Sequence, residues 1–243
     1  MIHPVYCENI CIRNVVVHSK GHNTDGLNPD SCKNVLIESC SFNTGDDCIA
    51  INSGMNEDGW RVNKPCENIV IRNCSMYGGH GGVVIGSAMS GGVRNVYITN
   101  CQIQNAHQGI RLKSMRGRGG YVENIWVENI QFNSLQRQAI QVNMFYEYST
   151  VMPKSNTPPV FKKINLINIK GDGAEVGIEI IGLPEQLLED IHLANISIKA
   201  KQAIICKNVK NITFSNINIE KSSEENVLFK TVKDMELNNF KLH

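Results

Sequence analysis

The segment NTGDDCIAI (residues 43–51) places two carboxylates, Asp46 and Asp47, side by side immediately before an apolar run. A third carboxylate, Asp25, lies in the earlier motif NTDG. Carboxylates brought close together disfavour joint ionisation, which keeps at least one of them protonated near neutral or mildly acidic pH. A protonated carboxyl beside an ionised one is the pair that cleaves glycosidic bonds. If the fold gathers these residues, they predict acid–base hydrolysis of a glycan.

A histidine, two cations and a tyrosine follow the carboxylates along the chain. His80 lies in the motif GHG, Arg111 and Lys113 lie in RLK, and Tyr146 lies in QVNMFYEY. Arginine can bind a carboxylate in a fork, so the two cations indicate an anionic substrate such as a sugar acid. His80 and His107 lack the spacing of a zinc site, and the nearby cations would compete with calcium. Neither a metal nor another cofactor is predicted.

Each of these residues also has an ordinary structural interpretation. Asp25 fits a turn former, and His80, set between glycines, fits a structural histidine. Arg111 and Lys113 match charges on a solvated strand face, and Tyr146 matches core or surface packing. The functional interpretation therefore depends on whether the fold places them on one face.

A repeat with spacings of 21 to 39 residues supplies such a fold. Nine units align on an anchor position, with apolar residues one and three positions later, which is the alternation of a β-strand. Five residues after the anchor, eight units carry asparagine and one carries Ser39. A strand recurring at a coil-sized interval predicts an all-β fold, a right-handed parallel β-helix (solenoid) of about nine coils. Leucine-rich repeats are the main rival, but their spacing is tighter and leucine dominates their pattern. The anchors are Asn9, Asn34, Asn68, Asn95, Asn124, Lys163, Asp190, Asn211 and Asp234.

The repeat also predicts where the cysteines and the asparagines lie. Six of the nine cysteines fall in two columns relative to the anchors, so we expect them to fill the core rather than form disulfides or bind a metal. Stacked asparagines are expected to hydrogen-bond from coil to coil. The two cysteine columns are Cys40, Cys74 and Cys101, and Cys7, Cys32 and Cys66.

Composition limits the partners. The formal net charge of +1 over 243 residues gives no overall field for nucleic acid. No apolar stretch approaches the roughly 20 residues needed to cross a bilayer, so no membrane partner is predicted. The opening MIHPVYCENI lacks a basic region followed by an apolar one, so no signal peptide is predicted either.

A second strand segment in each coil aligns TDGLNP, DDCIAI, HGGVVI, HQGIRL and RQAIQV, and continues as ordinary solenoid strands in EVGIEI, KQAIIC and ENVLFK. This register predicts Asp25 beside Asp47 on neighbouring coils, and Asp46 level with His80. Arg111 and Lys113 follow one coil after His80. The charged groups would gather along about 20 Å of one face, because coils stack about 4.8 Å apart.

The motifs NTDG, GDD, GHG and RLK, in this order, resemble the signature of glycoside hydrolase family 28, the polygalacturonases, of bacterial type. The likeness runs from residue 2 to about Tyr146, and beyond it only the coil pattern continues. The resemblance implies one β-helix domain over 1–243, with a catalytic face over 23–146 and C-terminal coils over 147–243. It also implies inverting hydrolysis of α-1,4-galacturonosyl linkages in polygalacturonate or pectin, a cell-wall polysaccharide.

Matched by motif, the resemblance implies that Asp46 is the general acid, while Asp25 and Asp47 hold and deprotonate the attacking water. His80 would tune the acid through a hydrogen bond to a carboxylate. An inverting mechanism leads us to expect carboxyl groups separated by roughly 6.5–9.5 Å.

The same matching gives the substrate-binding residues. Arg111 and Lys113 would bind the galacturonate carboxylate, and Tyr146 and Asn23 would position the sugar. Asn52 and Ala88 depart from the family pattern, where lysine and glutamate are expected, so an altered subsite is expected there.

The chain begins its first motif at residue 23, so the usual N-terminal coils and cap of the family are expected to be missing. An uncapped solenoid exposes an apolar end, which predicts a homo-oligomer that covers it. Family members are typically secreted or periplasmic. Two alternatives to hydrolysis stay open: a catalytically weak or inactive pectin-binding β-helix, and a calcium-dependent pectate lyase.

Overall fold

The computed structural model describes residues 1–146, 152–222 and 227–243. In these ranges it contains strands that form one 15-stranded sheet, and one short helix. The strands are β1 (Glu8–Arg13), β2 (Val16–Ser19), β3 (Lys33–Glu38), β4 (Ser41–Thr44), β5 (Ile49–Ile51), β6 (Cys66–Arg72), β7 (Ser75–Gly78), β8 (Gly81–Ile85), β9 (Val93–Gln104), β10 (Gln108–Lys113), β11 (Tyr121–Asn133), β12 (Gln138–Asn143), β13 (Val160–Ile181), β14 (Leu188–Lys221) and β15 (Leu228–Leu242), and the helix is α1 (Asn56–Val62).

The strands stack in parallel, each against its equivalent one coil away. Along one face the order is β1, β3, β6, β9, β11, β13, and β14 and β15 extend it. A second face stacks β5, β8, β10, β12 and β13. The apolar residue after each anchor pairs with its equivalent, as in Ile10 with Val35 and Val35 with Ile69. The predicted parallel β-helix is confirmed.

The anchor positions set the corners of the coils. All nine anchors, and all nine residues five positions later, have φ between 50° and 58°. Asparagine tolerates this left-handed conformation better than most residues, which explains its recurrence. Side chains also bond along the columns: Asn195 Nδ2 donates to Asn168 Oδ1 at 2.9 Å, as predicted. The anchors form a second ladder that was not predicted, in which Asn68 donates to Asn34 at 3.0 Å.

The core is a continuous column of buried apolar side chains from Leu27 to Ile219. Cys40, Cys74 and Cys101 are buried in it, as are Cys32 and Cys66. Cys7 is exposed, so its predicted place in the core is wrong. It belongs to the first coil, whose inner face no described coil covers.

The fold is all-β apart from α1, seven residues that the sequence analysis did not predict. This helix lies between β5 and β6, and its Trp60 Nε1 donates to the carbonyl of Arg118 at 2.7 Å. In the described ranges no helix has the length and apolar character needed to span a bilayer.

Candidate active site

All eight predicted site residues line one cleft of about 310 Å³ on the second face of the β-helix. They belong to five successive coils and lie in the strands of this face or in the turns beside those strands. The residues are Asn23, Asp25, Asp46, Asp47, His80, Arg111, Lys113 and Tyr146.

Strand register accounts for this assembly. Leu27 bridges to Ile49, which places Asp25 beside Asp47, two residues before each. Ile49 pairs with Val83, which sets Asp46 level with His80, three residues before each. The predicted columns are therefore confirmed, and residues distant in sequence meet because equivalent residues of adjacent coils lie about 4.8 Å apart.

The three carboxylates are tightly grouped. The backbone N–H of Asp47 donates to Asp25 Oδ1 at 3.0 Å and to Asp46 Oδ1 at 2.9 Å. One oxygen of each carboxylate lies within 4.8 Å of the others. This closest approach of single oxygens is shorter than the roughly 6.5–9.5 Å expected between whole carboxyl groups, which is a different distance. Two of the residues are adjacent in the chain and the third lies one coil away, so the coil spacing sets their distance.

Crowding acts most clearly on Asp25. Burial raises the pKa of its carboxyl above the ordinary 3.8, and the charges of Asp47 and Asp46 raise it further. A hydrogen bond from Asn28 Nδ2 to Asp25 Oδ2, at 2.5 Å, partly offsets these effects on the pKa. Asn28 was not predicted as part of the site, although its place three residues after Asp25 suits a local side-chain contact.

A pair of histidines adjoins Asp46. His80 Nδ1 lies 2.9 Å from Asp46 Oδ1, as a tuning hydrogen bond requires. The ring of His107, one coil further, stacks on His80 with centroids 4.8 Å apart. Burial lowers the pKa of His107, and the neighbouring His80 lowers it further. The aligned segments HGGVVI and HQGIRL carried the signal for this stack, which the sequence analysis did not use.

Lys113 is paired inside the site. Its Nζ donates to Asp47 Oδ2 at 3.0 Å, and both side chains are nearly buried, at 10% and 5% exposure. The other oxygen of this carboxylate, Asp47 Oδ1, is buried and has no hydrogen-bond partner among the described residues. One carboxylate oxygen is thus fixed by a cation, while the other makes no hydrogen bond among the described residues.

Arg111 and Tyr146 also line the cleft and lie against each other. The guanidinium carbon of Arg111 lies 5.4 Å from the centre of the Tyr146 ring, and Lys113 Nζ lies 5.0 Å from it. Arg111 Nε donates to Gln141 Oε1 at 2.9 Å. The backbone N–H of Tyr146 donates to the carbonyl of Ser114 at 3.0 Å, which fixes the turn after β12.

The sequence of this chain matches a known protein family. A family model described as Glycosyl hydrolases family 28 matches residues 2–215. A probable polygalacturonase of Vitis vinifera is 31% identical over 220 residues, which cover 87% of this chain and 45% of that protein. The chain belongs to glycosyl hydrolases family 28.

Two bacterial proteins extend this result. The exo-poly-alpha-D-galacturonosidase of Dickeya chrysanthemi is 27% identical over 243 residues, covering 94% of this chain and 40% of that protein. The crystal structure of a hyperthermoactive exopolygalacturonase from Thermotoga maritima superposes with a TM-score of 0.85 at 37% identity, covering 90% of this chain and 49% of that one. The chain thus spans less than half the length of each of these three proteins.

Two positions that depart from the family 28 pattern lie in the cleft itself. Asn52 and Ala88 line it together with the predicted residues. Glycines shape the remaining wall: Gly79 has φ of +71°, and a Cβ there would lie 2.0 Å from the carbonyl oxygen of Asp46. The glycines of GHG therefore let the coils approach closely enough for His80 to reach Asp46.

The three aspartates are the one group of acidic, histidine or cysteine ligands in the described chain that could hold a metal ion. Lys113 Nζ already lies 3.0 Å from one of these carboxylates. A cation bound there would face this ammonium and the nearby Arg111, which disfavours it.

Proposed function

We propose that this protein hydrolyses α-1,4-galacturonosyl linkages of polygalacturonate or pectin by an inverting mechanism. The observation that carries the proposal is the cleft in which three carboxylates, each with one oxygen within 4.8 Å of the others, adjoin Arg111. Family membership supports the reaction class, and the relatives named as polygalacturonases support the substrate.

Asp46 is the proposed general acid. His80 and the backbone N–H of Asp47 both bind its Oδ1, at 2.9 Å each. This leaves Oδ2 to carry the proton that is donated to the leaving glycosidic oxygen. His80 contacts the carboxyl of Asp46 directly, so its proposed role is to fix the orientation of the acid.

Asp25 and Asp47 are proposed to hold the attacking water. Lys113 fixes Asp47 Oδ2, and Asp47 Oδ1, which has no hydrogen-bond partner among the described residues, would accept the proton of the water. Asp25, one coil away, supplies a second acceptor. Attack by this water in a single displacement would invert the anomeric carbon, because no enzyme carboxylate forms a bond to the sugar.

Arg111, Lys113, Tyr146 and Asn23 are the proposed substrate contacts. Arg111 has its Nε engaged by Gln141, so its terminal nitrogens would bind the galacturonate carboxylate. The nearly buried Lys113 would add its charge. Tyr146, which lies against both cations, and the exposed Asn23 at the cleft edge would position the ring.

Product analysis separates this function from its alternatives. The chain is incubated with polygalacturonate, and reducing ends, ultraviolet absorbance and bound polymer are measured together. Hydrolysis predicts new reducing ends without an absorbing product. A lyase would produce an unsaturated, absorbing end, and a binding module would retain the polymer without releasing ends. Either of these results would refute the proposal.

A further inference from the structure

A buried carboxylate on the coil beyond the cleft connects to two of the proposed substrate contacts, Arg111 and Tyr146. Glu179 lies on β13, in the segment EVGIEI, and only 8% of its surface is exposed. Arg111 pairs in register with Gln141, and Gln141 pairs with Glu179. The three side chains therefore stack on successive coils in one column that leads away from the cleft.

Hydrogen bonds join this column. Arg111 Nε donates to Gln141 Oε1 at 2.9 Å, and Gln141 Nε2 donates to Glu179 Oε1 at 2.7 Å. Asn143 Nδ2 also donates to Glu179 Oε1, at 2.9 Å, and Gln138 Nε2 donates to Oε2 at 3.2 Å. Three side-chain amides thus share one carboxylate.

The carboxylate determines which way these amides point. An ionised carboxylate only accepts hydrogen bonds, so each amide must present its NH₂ group to Glu179. The oxygen of Gln141 is then directed at Arg111. The oxygen of Asn143 is directed at the backbone N–H of Phe145, which it accepts at 2.6 Å. That second contact fixes the turn leading to Tyr146.

We propose that Glu179 is a positioning residue of the cleft, which orients Arg111 through Gln141 and Tyr146 through Asn143 for binding the carboxylate of the sugar. This inference rests on the proposed function for its ligand, an anionic galacturonate unit. A side chain set by a rigid network loses less freedom on binding, which favours affinity.

The test replaces Glu179 and follows binding and structure separately. Affinity of the full chain is measured by calorimetry with a galacturonate trisaccharide whose linking oxygens are replaced by sulfur, so that it is not hydrolysed. The state of Arg111 is read from its Nε–H signal in nitrogen-15 NMR, assigned by its loss in Arg111→Lys. In Glu179→Leu we expect about tenfold weaker binding, equivalent to about 1.4 kcal/mol, and faster solvent exchange at the Arg111 Nε–H.

Two further variants serve as controls. Glu179→Gln should stay close to the parent protein in both readouts, because its amide oxygen can still accept from Gln141 and Asn143. Glu175→Leu, on the same strand but half exposed, should change neither readout. If Glu179 had only a structural role, Glu179→Leu would have a lower melting temperature but the same affinity and the same Arg111 signal. That result would overturn the proposal.

The outcomes stay distinguishable from failure of the proposed function. If the parent protein does not bind the trisaccharide, the proposed function fails, while the Arg111 signal still decides whether Glu179 orients that side chain. If Glu179→Leu does not fold, Gln141→Leu breaks the same connection next to Arg111. An unchanged affinity and an unchanged Arg111 signal in that variant would refute the inference.

Discussion

Removing the lysine of the buried ion pair should destabilise the protein strongly. Lys113 Nζ lies 3.0 Å from Asp47 Oδ2, and the two side chains are 10% and 5% exposed. Two unit charges at this distance attract by roughly 5.5 kcal/mol at an effective dielectric constant of about 20. Breaking a buried pair from one side typically costs about 3–5 kcal/mol, because the remaining charge is buried without a partner.

We therefore expect Lys113→Met to lower the free energy of unfolding by about 3–5 kcal/mol, measured by urea denaturation at pH 7. The matched control is Lys199→Met, which breaks the Lys199–Glu220 pair, 3.5 Å apart with 56% and 60% exposure. An exposed pair contributes about 0–1 kcal/mol. The double variant Lys113→Met with Asp47→Asn should recover part of the loss, since no unpaired charge stays buried.

The reasoning is refuted if Lys113→Met is no more destabilising than Lys199→Met. It is also refuted if Asp47→Asn gives no recovery in the Lys113→Met background, because the loss would then not come from the stranded carboxylate. An altered dependence on urea in one variant would instead report a change in the surface exposed on unfolding.

Two further predictions concern other parts of the molecule. Because the folded-state pKa of Asp25 is raised, its ionised form opposes folding, so Asp25→Asn should melt higher than the parent at pH 7. This advantage should be lost as the pH falls below the ordinary 3.8, and an equal advantage at low pH would contradict the prediction. Asn168→Ala should lower the free energy of unfolding by about 1–2 kcal/mol relative to Asn168→Gly, since only alanine is strained at this φ of 54°, and equal urea midpoints would argue against this origin of the repeat.

The fold and the composition of the cleft could be predicted because both follow from register. A repeat that fixes which residues stack also fixes that Asp46 lies beside His80 and Asp25 beside Asp47. The strand pattern predicts the coil, and the coil predicts which residues lie beside each other on adjacent coils. Asn23 is the exception, because only the resemblance to family 28 predicted it as part of the site.

The network behind the cleft could not be predicted in the same way. Gln141 and Glu179 alternate with apolar residues in their strands, which is also the pattern of a solvated strand face. The segment EVGIEI therefore predicts only an ordinary solenoid strand. Their burial results from neighbouring side chains in the same column, and the hydrogen bonds that orient them depend on atomic positions that the repeat does not specify.

Two further features also have local causes. The helix α1 occupies a turn between β5 and β6, where the repeat pattern is interrupted. The close approach of single carboxylate oxygens reflects their placement on adjacent residues and adjacent coils.

The most direct test of the proposed mechanism compares the release of reducing ends from polygalacturonate by the parent chain, Asp46→Asn and the exposed control Asp58→Asn. We expect Asp46→Asn to lose activity by a factor of about 10²–10⁴, as for removal of a general acid, while still binding the polymer. Asp58→Asn should match the parent chain. Activity retained in Asp46→Asn would contradict its assignment as the acid, and the absence of activity in the parent chain would contradict hydrolysis by this cleft.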